Sequence, residues 1–90
     1  MFKIVSSKQF KKDLKQAQKR GFKIEALRKI VNTLAAGEKL ETKYRDHDLR
    51  GENQGFRECH IEPDWLLVYQ IYGDLLELYL FRTGTHSDLF

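Results

Sequence analysis

Three histidines, one aspartate and one arginine are the groups in this chain best suited to moving protons and charge near neutral pH. His47 lies in Tyr44-Arg45-Asp46-His47-Asp48-Leu49 and His60 in Glu58-Cys59-His60-Ile61-Glu62-Pro63-Asp64-Trp65. His86 lies in Arg82-Thr83-Gly84-Thr85-His86-Ser87-Asp88-Leu89-Phe90. An imidazole exchanges a proton in this range, a carboxylate such as Asp64 can assist it, and a guanidinium such as Arg82 can neutralise a pentacovalent oxyanion. That set suits attack at a phosphodiester. Taken singly, each residue has a plainer reading: a loop histidine is usually solvated, Trp65 can be packing, and Arg82 can pair with Glu62. Zinc would need Cys59 beside the histidines. Metal-ligand spacing patterns are absent, and Cys59 falls opposite His60 on an alternating strand, so neither metal nor cofactor is expected.

Convergence of these groups depends on the elements that carry them. Phe56–Glu62, Trp65–Ile71 and Leu75–Arg82 alternate with period two and read as three antiparallel strands, with turns at Pro63-Asp64 and Gly73-Asp74. If both turns are two-residue loops, Glu62 faces Trp65 and Trp65 faces Arg82, while His60 faces Leu67 and Leu67 faces Leu80. One face then carries Glu58, His60, Glu62, Trp65, Tyr69 and Arg82; the other carries Cys59, Ile61, Leu66, Val68, Tyr79 and Phe81. This register gathers His60, Asp64, Trp65, Arg82 and His86 at one rim. A one-residue slip at Pro63-Asp64 would move His60 relative to Trp65 without mixing the faces within either strand.

Upstream, Phe2-Lys3-Ile4-Val5 reads as an edge strand, and Ser6-Ser7-Lys8-Gln9 as a capping box with Ser6 at the cap. Phe10, Leu14 and Ala17 form an apolar stripe, and Gly21 closes that helix. A second helix is expected over about Lys23–Ala36, with Ile24, Leu27, Ile30, Val31 and Leu34 inward and Gly37 as its stop. Residues 38–55 show no period and read as a loop of about 18 residues. The expected fold is α+β: one domain over residues 1–90, ordered β-α-α-β-β-β, with a helical hairpin covering one face of a small antiparallel-rich sheet.

Composition narrows the setting. Ninety residues that are 41% hydrophobic and 32% charged suit one small globular domain rather than a disordered chain. No apolar run approaches the ~20 residues a bilayer needs, and a single cysteine excludes an internal disulfide, so a cytoplasmic, soluble protein is expected. The net charge of +3 hides an asymmetry: residues 1–50 carry 14 Lys/Arg against 6 Asp/Glu, and residues 51–90 carry 2 against 7. Lys8, Lys11, Lys12, Lys15 and Lys19 fall outside the stripe of the first helix. They are either the footprint of a polyanion binder or a lysine-rich solvated face.

Gly55 to Tyr69 and Arg82 to Phe90, together with Tyr44 to Leu49, resemble the YafQ branch of the RelE/ParE toxin superfamily, and the likeness runs over essentially the whole chain. The resemblance implies a RelE-like fold and a ribosome-dependent endoribonuclease that cuts mRNA in the decoding site and is neutralised by a cognate antitoxin. It further implies catalytic roles for His47, His60, Asp64, Arg82 and His86, with Trp65 and Phe90 shaping the substrate site. Arg45 stands where a lysine is usual, which keeps backbone binding but alters its geometry. In such a toxin the five lysines would meet ribosomal RNA. Two rivals are a DNA-gyrase poison on the same fold, which needs no histidine cluster, and a non-catalytic nucleic-acid-binding repressor.

Overall fold

Helix-periodic and strand-alternating stretches settle into eight elements: β1 (Lys3–Ser6), α1 (Lys8–Lys19), α2 (Ile24–Ala35), β2 (His47–Asp48), β3 (Arg57–Glu62), β4 (Trp65–Tyr72), β5 (Glu77–Gly84) and α3 (His86–Leu89). They are those of a computed structural model that describes residues 1–90. The strands form one five-stranded mixed sheet in the order β1-β5-β4-β3-β2. β1 is an edge strand as expected, and it runs parallel to β5 with Ser6 opposite Leu80. That pairing occupies the Ser6 backbone, so Ser7 rather than Ser6 caps α1. Its hydroxyl accepts from the Phe10 amide at 2.9 Å and donates to the Phe81 carbonyl at 2.7 Å. Gln9 donates to Asp13 instead of reaching back, and the expected capping box does not form.

Past Ser6 the edge of β5 has no strand beside it, and α1 covers it. The Thr83 amide donates to Asp13 at 3.1 Å, while the Arg82 guanidinium holds the same carboxylate through Nε and Nη2 at 2.8 and 3.2 Å. Gly21 takes φ +78°, which a side chain would resist, and the Phe22 amide can then return to the Ala17 carbonyl. The two helices pack on one sheet face, α1 over β5 and α2 over β3. Phe10, Ala17, Leu27, Ile30, Val31, Leu34 and Ala35 meet Cys59, Ile61, Trp65, Leu67, Tyr69, Leu78 and Leu80 in one buried cluster.

That list corrects the expected faces. Glu62 does oppose Trp65 across the Pro63-Asp64 turn, but His60 opposes Leu66 rather than Leu67, because Ile61 is an extra residue in β3. One inserted residue turns β4 and β5 over as a unit relative to β3. Trp65 and Tyr69 therefore enter the core, while Leu66, Val68, Tyr79 and Phe81 face away from the helices. The Gly73-Asp74 turn is likewise longer than expected. Tyr72 opposes Glu77 across a four-residue loop, with Leu76 at φ +52°, and β5 begins at Glu77 rather than Leu75. A second irregularity, at Phe81, returns Arg82 to the row of Val68 and Glu58. Residues 38–55 are not one unstructured loop: they hold short 3-10 turns at Thr42–Tyr44 and Gly51–Asn53 and the strand β2, which is too short to show a period.

Trp65 is only 2% exposed, so it cannot stack on a base. Its ring lies 5.0 Å from that of Phe22, and its indole N–H donates to the Thr83 hydroxyl at 2.9 Å. That hydroxyl donates onward to the Leu66 carbonyl at 2.7 Å. Trp65→Phe should cost about 1–3 kcal/mol through the lost hydrogen bond and the smaller ring. Urea unfolding followed by circular dichroism checks this, and an unchanged midpoint would contradict a buried indole.

Candidate active site

The outward alternation of β3 places Glu58 and His60 side by side, and β2 adds His47 directly opposite Glu58. Glu58 is 6% exposed although it carries charge. Its Oε1 lies 3.7 Å from His47 Nε2 and 3.8 Å from His60 Nε2. Val68 and Leu66, both buried, stand across β4 from Glu58 and His60 and give the pair an apolar floor. His86 comes from the far end of the chain, as the first residue of α3, and its ring centroid lies 5.8 Å from that of His60. The His47 and His60 rings are 6.4 Å apart. The three histidines thus do gather at one place. Glu58, at their centre, was not singled out from the sequence; its i, i+2 spacing from His60 on an alternating strand was the available signal.

Every imidazole has its Nδ1 engaged. His47 Nδ1 lies 2.7 Å from the Arg45 carbonyl, His60 Nδ1 lies 3.2 Å from the Pro63 carbonyl, and His86 Nδ1 lies 2.8 Å from Asp64 Oδ1. Carbonyls and carboxylates only accept, so Nδ1 carries the proton in each ring, and Nε2 is left to exchange one with a substrate. Asp64 also accepts from the His86 amide at 3.1 Å. Glu58, His60 and His86 each offer a ligand atom within 4.8 Å of the others, so these three could hold a transition-metal ion. Cys59 could not join them. It is buried on the helix side, where burial first, then Asp46 and Glu58, pushes its thiol up to about 12.

His47 depends on a separate brace. The Tyr69 hydroxyl, reaching out of the core, donates to Asp46, and Arg57 donates to Asp46 at 3.0 Å and to Asp48. Burial and then the hydrogen bond to Asp46 raise the Tyr69 phenol, while Asp46 raises the Arg57 guanidinium. Arg45 turns the chain at φ +52°, and with Lys23, Lys29 and Lys43 it lines a cleft of about 630 Å³ whose wall also holds His60 and the acids Glu25 and Glu62. Arg82 shares the outward row with Glu58, but its guanidinium rests on Asp13 rather than among the imidazoles. Phe90 is exposed just beyond α3. Lys8, Lys11, Lys12, Lys15 and Lys19 are all exposed on α1.

Hydrogen bonds from His86, first through its ring and then its amide, hold the Asp64 carboxyl below its ordinary value. Because the folded value lies below the unfolded one, the contact is at full strength above the usual ~3.9 and is lost only as pH falls through the lower folded value. A carboxyl-carbon NMR titration should therefore place Asp64 below ~3.9 in the native protein and move it up toward the ordinary range in His86→Ala, which loses the ring contact and keeps the amide one. A native midpoint at or above the ordinary value would mean that the pair does not form.

No helix of the chain is long and apolar enough to cross a membrane. The model of a bacterial toxin of type II toxin-antitoxin systems, YafQ, matches residues 2–90. The mRNA interferase toxin YafQ of Escherichia coli K12 is 41% identical over 88 residues, which span 97% of this chain and 94% of the relative. A metal-bound toxin from Helicobacter pylori superposes with a TM-score of 0.94 at 50% identity, and all of both chains is covered. The YafQ subunit of the E. coli DinJ-YafQ complex gives a TM-score of 0.91 at 38% identity over 100% of this chain and 99% of that one. With the whole length matched in sequence and in fold, the chain belongs to the YafQ family of bacterial type II toxin-antitoxin toxins.

Proposed function

We propose that this toxin is a ribosome-dependent, metal-independent mRNA interferase that cleaves by transfer of the phosphodiester to the neighbouring ribose hydroxyl. The observation that carries the reading is the set of three imidazoles whose Nδ1 atoms are occupied and whose Nε2 atoms are left to work. One of His47 and His60 takes the proton of the 2′-hydroxyl through Nε2, and the 2′-oxygen bonds to phosphorus. The bond from phosphorus to the 5′-oxygen then breaks, and His86, entering the step as the imidazolium with Nε2 protonated as well as Nδ1, gives the leaving oxygen its Nε2 proton. The products are a 2′,3′-cyclic phosphate and a free 5′-hydroxyl. Glu58, 3.7 and 3.8 Å from the two candidate bases, offsets the positive charge created when one accepts the proton. Asp64 keeps the His86 ring oriented, and Arg82 offers Nη1, which holds no protein partner, to the phosphorane.

The cleft lined by Lys23, Lys29, Lys43 and Arg45 gives an RNA backbone a cationic approach to His60. Phe90 supplies an exposed ring beside the site, as Trp65 cannot. Positioned acid-base transfer supplies about 10²–10⁴-fold, so alignment of the mRNA by the ribosome must supply much of the remainder. An acidic antitoxin segment folding over the α1 lysines would block docking to the ribosome while gaining on-rate from charge. A gyrase poison or a simple repressor would have no use for three imidazoles around one carboxylate.

The test is cleavage of translated mRNA in purified components. His86→Ala should keep its fold and ribosome affinity while single-turnover cleavage falls by about two to four decades. Toxin stripped of transition metals by chelation and then returned to magnesium buffer should cleave at the native rate, since no step requires a metal at Glu58, His60 and His86; loss of cleavage in the stripped toxin and recovery with added zinc, copper or nickel would overturn that part. Cleavage by His86→Ala at the native rate would remove the proposed acid.

The basic helix has its own test. Replacing Lys8, Lys11, Lys12, Lys15 and Lys19 with glutamine should weaken ribosome binding and flatten its log-log salt dependence by about one unit per lost phosphate contact. The pattern of cleaved sites should stay the same. An altered pattern with an unchanged salt slope would place α1 on the mRNA.

A further inference from the structure

α3 has four residues, far too few for a helix to persist without outside support. Part of that support is local. The Thr85 hydroxyl accepts from the Asp88 amide at 3.2 Å, and Asp88 accepts in return from the Thr85 amide at 2.9 Å. Asp64 accepts from the His86 amide at 3.1 Å, and a further hold comes from the end of α1. Arg20 grips the Asp88 carboxylate with both terminal nitrogens, Nη1 to Oδ2 at 2.6 Å and Nη2 to Oδ1 at 3.1 Å, across 68 residues of sequence. Arg20 is itself seated, its guanidinium carbon 5.9 Å from the centre of the Phe22 ring, which packs on Trp65. Gly84 makes room for the arrangement, because a Cβ there would stand 2.9 Å from Asp88 Cβ and 3.0 Å from its Oδ2.

We infer that Arg20 and Asp88 are positioning residues that hold α3, and with it the His86 ring, in register with Asp64 and His60. The inference rests on the proposed role of His86 as proton donor. The ion pair is about one-third exposed on both sides, so it adds little to global stability, and its effect is local order at α3. Arg20 thereby differs from the lysines of α1. Its charge is spent inside the molecule, and its loss should be felt in turnover rather than in ribosome affinity.

Arg20→Gln, Asp88→Asn and the swapped pair Arg20→Asp with Asp88→Arg test this in the full chain with two readouts. One is the long-range nitrogen–proton NMR spectrum of the His86 ring, which reports the Nδ1 contact with Asp64. The other is cleavage of ribosome-bound mRNA, split into kcat and KM. Each single variant should disturb the His86 spectrum and lower kcat by about tenfold to a hundredfold, with KM changed by no more than about twofold. The swap should recover part of both. A raised KM with kcat intact would make Arg20 an ordinary phosphate-binding cation, and an undisturbed spectrum with native kcat in Asp88→Asn would overturn the inference outright. If His86→Ala proves fully active, the acid assignment falls alone. The spectra of the folded Arg20 and Asp88 variants would still decide whether the pair positions the ring.

Discussion

One extra residue in a strand governs the arrangement of this molecule. β3 must send Cys59 and Ile61 into the core and Glu58 and His60 out of it, and alternation alone does that. The neighbouring β4 has an almost unbroken apolar run, so either of its faces could have been buried. The insertion at Ile61 decides the matter: it brings Leu67 opposite Cys59 and so puts Trp65, Leu67 and Tyr69 under the helices. The same choice leaves Leu66 and Val68 beneath the imidazoles as an apolar floor. Core and site are two results of one register.

Much of this was legible in residue order, and the failures have particular causes. The helices over residues 8–19 and 24–35 and the three long strands follow from period and from Gly21, Gly37 and Pro63, and all of them form. The meeting of His60 and His86 follows from strand return and also holds, whereas His47 reaches them through β2. Trp65 was misplaced because a two-residue turn was extended into perfect alternation, and nothing in Glu62-Pro63-Asp64-Trp65 announces a bulge one residue earlier. β2 escaped because two residues carry no period; its pairing with β3 and the ties of Arg57 and Tyr69 to Asp46 and Asp48, all contacts outside the segment itself, fix it. The importance of Glu58 was hidden in the same way, since its neighbours in space are drawn from three separate stretches of chain.

The distribution of charge along α1 follows from its place beside β5. Asp13, its one acid, is consumed by the open strand edge, and Arg20 by α3. What remains facing water is lysine without compensation, although the chain as a whole is close to balanced. A surface of this kind arises when the acids of an element have structural work and its bases do not. It leaves a helix able to meet a polyanion or an acidic partner through one face while its other face keeps the sheet edge closed.

β1 lies against β5, and Ser7 holds Phe81 from 74 residues away. Contacts so distant in sequence form slowly, because a long loop must close before any pairing can stabilise it. On a translating ribosome the first strand and the helix after it would therefore wait with an unpaired edge until β5 had left the exit tunnel. His47 and His60 would wait longer still for α3. The three imidazoles are thus the last feature to come together, however well the helices have formed before, because α3 can reach them only after β5 has closed the sheet.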